Sequence, residues 1–253
     1  MKNPLSLSGK SIMVTGASAG IGRGAAVLLS ELGARVTLVG RNQTRLEDTL
    51  GQLSGEGHRV AAFDFQATDA IADWFAGLVA EQGPFDGLVH SAGIGSMLPL
   101  RALTTSHIDD VMRINVIAAI ALTKAFSRKR AYQPVASIVL VASVAGLAGV
   151  PVRTAYSASK GALIAFARSA AMELARSGIR VNCVAPAYVQ TEMFEEAFKT
   201  MTPEQMQKLI EATQPLGVGT PLDVAHAIAF LLADTGRWIT GSVLAVDGGY
   251  TAQ

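Results

Sequence analysis

Residues 11–22 read "SIMVTGASAGIG". A β-branched, apolar run passes directly into a turn with glycines at 16, 20 and 22, and a helix-forming stretch begins near Gly20. Glycine in such a turn lets backbone N–H groups approach an anion closely, and a helix starting there aims the positive end of its dipole at the same point. The spacing is G-x-x-x-G-x-G rather than G-x-G-x-x-G. Its place after the first strand makes a dinucleotide pyrophosphate the expected ligand, bound at Gly16, Ser18, Gly20, Ile21 and Gly22.

Outward from this turn the same alternation recurs along the chain. Further strand-like runs lie at 34–40, 59–64, 86–93, 137–143, 179–186 and 242–249, and most are continuous apolar stretches, as expected of strands covered on both faces. Helix-like segments fall near 20–32, 43–54, 69–82, 105–130, 155–177 and 221–233. The pattern predicts right-handed βαβ crossovers and an α/β fold with a doubly wound parallel sheet in a single domain over residues 1–253. Residues 187–215 depart from it, carrying Met193, Phe194, Phe198, Met201 and Met206 and a proline-initiated turn at Pro203. Two readings stand for this segment: a substrate lid, or a helical hairpin packed on the core or a neighbouring subunit.

Half of the 253 residues are hydrophobic and 16% are charged, which supplies a sizeable core and argues against disorder. A net charge of +1 gives no electrostatic reason to expect nucleic acid or an anionic membrane as partner. Cys183 is the only cysteine, so no internal disulfide forms, and it reads as a small buried apolar residue. The first residues lack the apolar run of a secretory signal, and "SIVLVASVAGLAGVPV" is too short and glycine-rich for a bilayer span, so a cytoplasmic protein is expected. No metal site is expected.

The second strand bears on the choice of dinucleotide. It ends "LVGRN", with Gly40 where an NAD-binding acid would stand and Arg41 next. A carboxylate repels a 2′-phosphate, whereas a guanidinium pairs with it through two parallel hydrogen bonds, so NADP(H) is expected over NAD(H). The alternative is that Arg41 caps the next helix or is simply solvated. Asp64, with Phe65 beside it, ends the third strand; it can accept from an adenine amino group or cap the helix starting near Asp69.

In "TAYSASKGA", residues 154–162, a phenol and an ammonium stand four positions apart, on one face of a helix. A phenol with a pKa of about 10 is a poor base, but a neighbouring ammonium worth about 3–4 kcal/mol of differential interaction brings it into a useful range. Ser143 ends the fifth strand, at the strand edge where open α/β sheets bind ligands, and can donate to a substrate oxygen or act as a cap.

Taken in order, "TGASAGIG", "RINV" with Asn115, Ser143, "YSASK", "RVNCVAP", Thr191, "TPLDVAHAIAFLLAD" and "ITGSVLAVDGG" resemble the short-chain dehydrogenase/reductase family over essentially the whole chain. The resemblance implies a Rossmann-like seven-stranded sheet of order 3-2-1-4-5-6-7, usually in a homotetramer. It implies Tyr156 as general acid in carbonyl reduction, Ser143 steadying the alkoxide, and Lys160 lowering the phenol pKa while binding the nicotinamide ribose. Asn115 is implied to hold a water linking Lys160 to solvent, and Thr191 and the backbone near Val189 to contact the carboxamide. Two departures from the family pattern are visible. "HSAG", with His90, Ser91, Ala92 and Gly93, replaces N-N-A-G, leaving backbone contacts to the adenosine ribose; Pro186 is followed by Ala187 instead of glycine. His90 is either a structural histidine or an additional catalytic group.

The segment after Thr191 mixes apolar residues with Glu192, Glu195 and Glu196, which suggests an uncharged or partly apolar carbonyl or alcohol substrate. Arg153 either binds an acidic substrate group or is a solvated surface residue. Arg128, Lys129, Arg130 and Arg176 could dock an acyl carrier protein, or a CoA thioester could be the partner, but a basic helix end also complements the helix dipole. The expected activity is therefore an NADP(H)-dependent ketone/aldehyde–alcohol oxidoreductase, possible substrates including 3-oxoacyl groups. The alternatives are an NAD-preferring sugar, polyol or hydroxysteroid-type dehydrogenase and a catalytically silent NADP sensor.

Overall fold

The computed structural model describes residues 3–252. Strands and helices alternate as β1 (Ser11–Thr15), α1 (Gly20–Glu31), β2 (Arg35–Gly40), α2 (Gln43–Leu50), β3 (Arg59–Ala62), α3 (Ile71–Gln82) and β4 (Phe85–His90). Then come α4 (Thr105–Met112), α5 (Ala118–Phe126), β5 (Tyr132–Val141), α6 (Thr154–Leu174) and β6 (Ile179–Pro186). The chain closes with α7 (Glu192–Phe198), α8 (Pro203–Thr213), α9 (Pro221–Leu232) and β7 (Val243–Val246). All seven strands are parallel in the order β3-β2-β1-β4-β5-β6-β7, the doubly wound Rossmann-like sheet that the alternation predicts.

Side chains along each strand point alternately to the two faces, and each face carries its own core. Met13, Leu88, Ile138 and Leu140 pack with Phe75, Phe126 and Leu163 from α3, α5 and α6. Ile12, Val14, Val89 and Val139 pack with Leu29, Val224 and Ile228 from α1 and α9. This two-sided burial explains why the strands read as unbroken apolar runs.

The order reverses between β1 and β4, so the crevice for a ligand opens beyond their C-terminal ends. The turns that follow β1, β4, β5 and β6 all emerge at this edge. Two differences from the expected boundaries have physical causes. The stretch 105–130 is α4 and α5 joined by a π-helical segment, Arg113–Ile117, which rotates the helix by one residue and carries Asn115. β5 begins five residues earlier than its apolar run, at Tyr132, across a register shift against β4. Residues 187–215, for which the sequence left a lid or a helical hairpin open, carry α7 and α8.

Candidate active site

The phosphate turn is built for close contact. A Cβ on Gly22 would lie 2.2 Å from the Gly16 carbonyl oxygen, so only glycine lets α1 start this tightly against the turn. The N-cap of α1 is Ala19, which offers no side-chain acceptor, and the first N–H groups of the helix are therefore available to an anion. Arg23 braces the turn from behind, donating to the Ser18 carbonyl at 2.6 Å and to Thr49 Oγ1 at 3.1 Å. The uncapped helix and the glycine-only contact fit a dinucleotide pyrophosphate.

A cavity of about 380 Å³ runs from this turn along the strand ends. At one end it is lined by Gly16, Ser18, Arg41, Asp64 and Phe65; at the other by Ser143, Tyr156, Lys160, Tyr188 and Phe194. Of the expected binding residues, Gly20, Ile21, Ser91, Ala92, Gly93, Pro186, Val189 and Thr191 also line it, whereas Gly22 and Asn115 stand behind the wall. Asn42, not Arg41, caps α2, accepting from Arg45 N–H at 3.0 Å, which removes the capping alternative for Arg41. Asp64 caps its own turn through Gln66 N–H at 3.0 Å, and α3 starts from Ala70.

At the chemical end, the loop after β5 presses on α6 at Lys160. A Cβ on Gly146 would stand 2.7 Å from the Lys160 carbonyl carbon, so this glycine fixes Ser143 against the helix that carries Tyr156. Asn115 joins the third side: its amide donates to Ile94 O at 3.1 Å and to Ser159 Oγ at 3.0 Å, and its carbonyl accepts from Ile94 N–H at 2.8 Å. Ser159 in turn donates to the Tyr156 carbonyl at 2.7 Å. Asn115 thus ties the loop after β4 to the turn of α6 that bears Tyr156.

Lys160 and Arg153 both approach the phenol. The Lys160 ammonium is buried, donates to the Val141 carbonyl at 2.8 Å and stands 5.7 Å from the Tyr156 ring centroid. Burial lowers its pKa to about 8. Burial raises the pKa of Tyr156; a hydrogen bond from Ser143 and the positive charge of Arg153 oppose this without overcoming it. Two cations thus stand equally near the phenol, since the Arg153 guanidinium also lies 5.7 Å from the ring centroid.

His90 is buried and lies outside the cavity lining. Thr15 Oγ1 accepts from the N–H groups of Ser91 and Ala92 at 3.1 and 3.0 Å, so its own proton goes to His90 Nδ1, 3.1 Å away. That places the imidazole proton on Nε2, which has no hydrogen-bond partner. Burial lowers the His90 pKa to about 3. The imidazole is therefore a neutral brace for the turn after β4. Cys183 is fully buried and its thiol is pushed up to about 12 by burial, which leaves it inert. Non-glycine residues with positive φ are Arg130, Val135 and Val152 among the described residues, so Ala187 stands in ordinary backbone.

The structure separates the basic cluster from the cavity. Arg128, Lys129 and Arg130 precede β5 and Arg176 precedes β6, whereas Ser143 and Pro186 mark the opposite ends of those strands. At the rise of a β-strand that is roughly 30 Å. Within one subunit they stand at the opposite end of the sheet from the cavity mouth. Two contributors were not singled out in the sequence. Arg45 of α2 pairs with Glu192 of α7 at 2.8 Å, linking the nucleotide end to the segment over the substrate end. Gln214, buried after α8, accepts from Tyr188 N–H at 2.9 Å and donates to Gly217 O at 3.0 Å, and so fixes the lining at Tyr188. Neither has a local signal, because Glu192 is remote in sequence from Arg45 and Tyr188 from Gln214.

Residues 16–251 match the family model described as Enoyl-(Acyl carrier protein) reductase. The chain belongs to the short-chain dehydrogenase/reductase family, oxidoreductases that interconvert C=O and CH–OH with a nicotinamide dinucleotide. It is 36% identical to 2-(S)-hydroxypropyl-CoM dehydrogenase 3 of Xanthobacter autotrophicus, over 97% of this chain and 98% of that one. It is 38% identical to a 3-oxoacyl-[acyl-carrier-protein] reductase of Mus musculus, over 93% and 95%. The crystal structure of a dehydrogenase/reductase from Sinorhizobium meliloti 1021 superposes with a TM-score of 0.88 at 31% identity, covering 98% of this chain and 97% of that one.

Proposed function

We propose that the protein is an NADP(H)-dependent reductase of a ketone or aldehyde, working reversibly on the corresponding alcohol, with Tyr156 as proton donor. The observation that carries this reading is the single cavity that joins the uncapped α1 turn and Arg41 to Ser143 and Tyr156. Held along this cavity, NADPH would supply the hydride for the carbonyl carbon. Tyr156 gives its proton to the carbonyl oxygen; its raised pKa keeps the phenol protonated at neutral pH. Ser143 donates to the same oxygen and steadies its growing charge. Lys160 would hold the nicotinamide ribose and return a proton to Tyr156, with Asn115 fixing the geometry between them through Ser159. Thr191 and Val189 would face the carboxamide, and Asp64, Phe65 and residues 91–93 the adenosine.

Arg41, exposed at the end of β2 and not used as a cap, supports NADP(H) over NAD(H). Hydride transfer measured with NADPH and NADH tests this: Arg41→Ala should reduce the preference for NADPH about tenfold or more. Equal use of both by the wild-type protein contradicts it. The side chains of Met193, Phe194 and Phe198 line the cavity, which supports α7 as the substrate lid. A 3-oxoacyl thioester of a carrier protein or CoA is a second substrate reading, supported by the likeness to the mouse reductase. Exposed Ile117 at the end of the π-helical segment, Ile120 on α5, Met172 on α6 and Trp238 before β7 support burial in a homotetramer. The lone buried thiol fits a cytoplasmic setting.

A further inference from the structure

The substrate end of the cavity holds one charge that no carboxylate among the described residues answers. Arg153 lines the cavity and is half-buried, and among the described residues no carboxylate pairs with it. The other charged lining residues are accounted for. Arg45 and Glu192 pair with each other at 2.8 Å, Lys160 is held by the Val141 carbonyl at 2.8 Å, and Arg41 and Asp64 belong to the nucleotide end. Around Arg153 the wall is Val150, Tyr156, Tyr188, Phe194 and Phe198. A guanidinium beside such a wall is partly stripped of water, a cost that a bound anion offsets.

The guanidinium is also aimed. It lies 5.7 Å from the Tyr156 ring centroid, and its charge acts on the Tyr188 hydroxyl as well, so it faces the space between the two phenols. The backbone contributes to this placement. Val152 sits at φ 57, a left-handed conformation that a β-branched residue adopts only under constraint. That turn delivers Arg153 to the N-cap of α6, three residues before Tyr156.

We propose that Arg153 is the specificity-determining residue of this site, and that the substrate is a small hydroxy or oxo acid whose carboxylate it grips through two parallel hydrogen bonds while the carbonyl meets Tyr156 and Ser143. The inference rests on the carbonyl-reductase reading above and narrows it, because an acyl thioester presents a neutral body where Arg153 stands.

The test compares acetoacetate, levulinate and oxocyclohexanecarboxylate, each beside its methyl ester, with an acetoacetyl thioester of N-acetylcysteamine as the carrier-like probe. NADPH oxidation gives kcat/KM for each, and the acid-to-ester ratio is read because any effect of Arg153 on Tyr156 is common to both members of a pair. The wild-type protein should favour its best acid over the ester about thirtyfold or more. Arg153→Met should abolish that ratio mainly through the KM of the acid, and Arg153→Lys should restore part of it. A wild-type ratio near one, a preference for esters or the thioester, or a ratio that survives in Arg153→Met overturns the inference. The wild-type ratio needs no variant to fold. Ester turnover without acid preference removes this inference alone; no turnover of any probe removes the reductase reading with it.

Discussion

Tyr156 keeps its proton more firmly than a free phenol because burial outweighs the Ser143 hydrogen bond and the Arg153 charge. In the proposed reduction it therefore enters the reaction protonated at neutral pH. Lys160 sets the alkaline limit: with its pKa lowered to about 8, it is charged below that value and neutral above it. The kcat/KM for reduction should therefore fall as pH rises past about 8, and a profile flat to pH 10 would contradict the role given to the ammonium. His90 makes the opposite, acid-side prediction for stability. Its folded pKa of about 3 lies below the ordinary imidazole value of 6.5, so the unfolded chain takes a proton throughout that window while the folded chain does not. Stability is complete above pH 6.5 and falls as pH drops toward 3, by roughly 4–5 kcal/mol at the end. His90→Asn should flatten the acid limb of a plot of Tm against pH; an unchanged limb would show that the imidazole is not its source. The glycines, Ser143, Tyr156 and Lys160 were legible because each occupies a fixed offset from a strand end. The effect of Arg153 on the phenol was not, since it depends on the left-handed turn at Val152.

Elements bring these residues together through close approaches that tolerate no added atoms. The loop after β5 meets α6 where Gly146 faces the Lys160 backbone at a Cβ distance of 2.7 Å. Gly146→Ala should cost about 1–3 kcal/mol and shift Ser143 from Tyr156, seen as a lower Tm together with lost kcat. An unchanged Tm would mean that the contact relaxes freely. The strands were readable from sequence because parallel strands buried on both faces are continuous apolar runs. The early start of β5 was not, because Pro134 and the positive φ of Val135 interrupt any strand signal there. Nor was the π-helical turn at Asn115, since its one-residue offset is fixed by the hydrogen bonds of Asn115 to Ile94 and Ser159, residues far away in sequence.

At the scale of the whole molecule, strand order alone places one crevice beyond the ends of β1, β4, β5 and β6, and the separate motifs become one site only there. The same topology sends the basic cluster to the far edge, something a linear reading of arginines cannot show. The central claim is that a phenol at one end of this cavity protonates an oxygen while reduced dinucleotide is bound along the other. The most direct test is NADPH oxidation against a carbonyl panel by wild-type protein and Tyr156→Phe, with NADPH binding followed by fluorescence. The variant should bind NADPH as the wild type does and lose about 10²–10⁴-fold in kcat. Full turnover by a variant that lacks the phenolic hydroxyl would contradict the account.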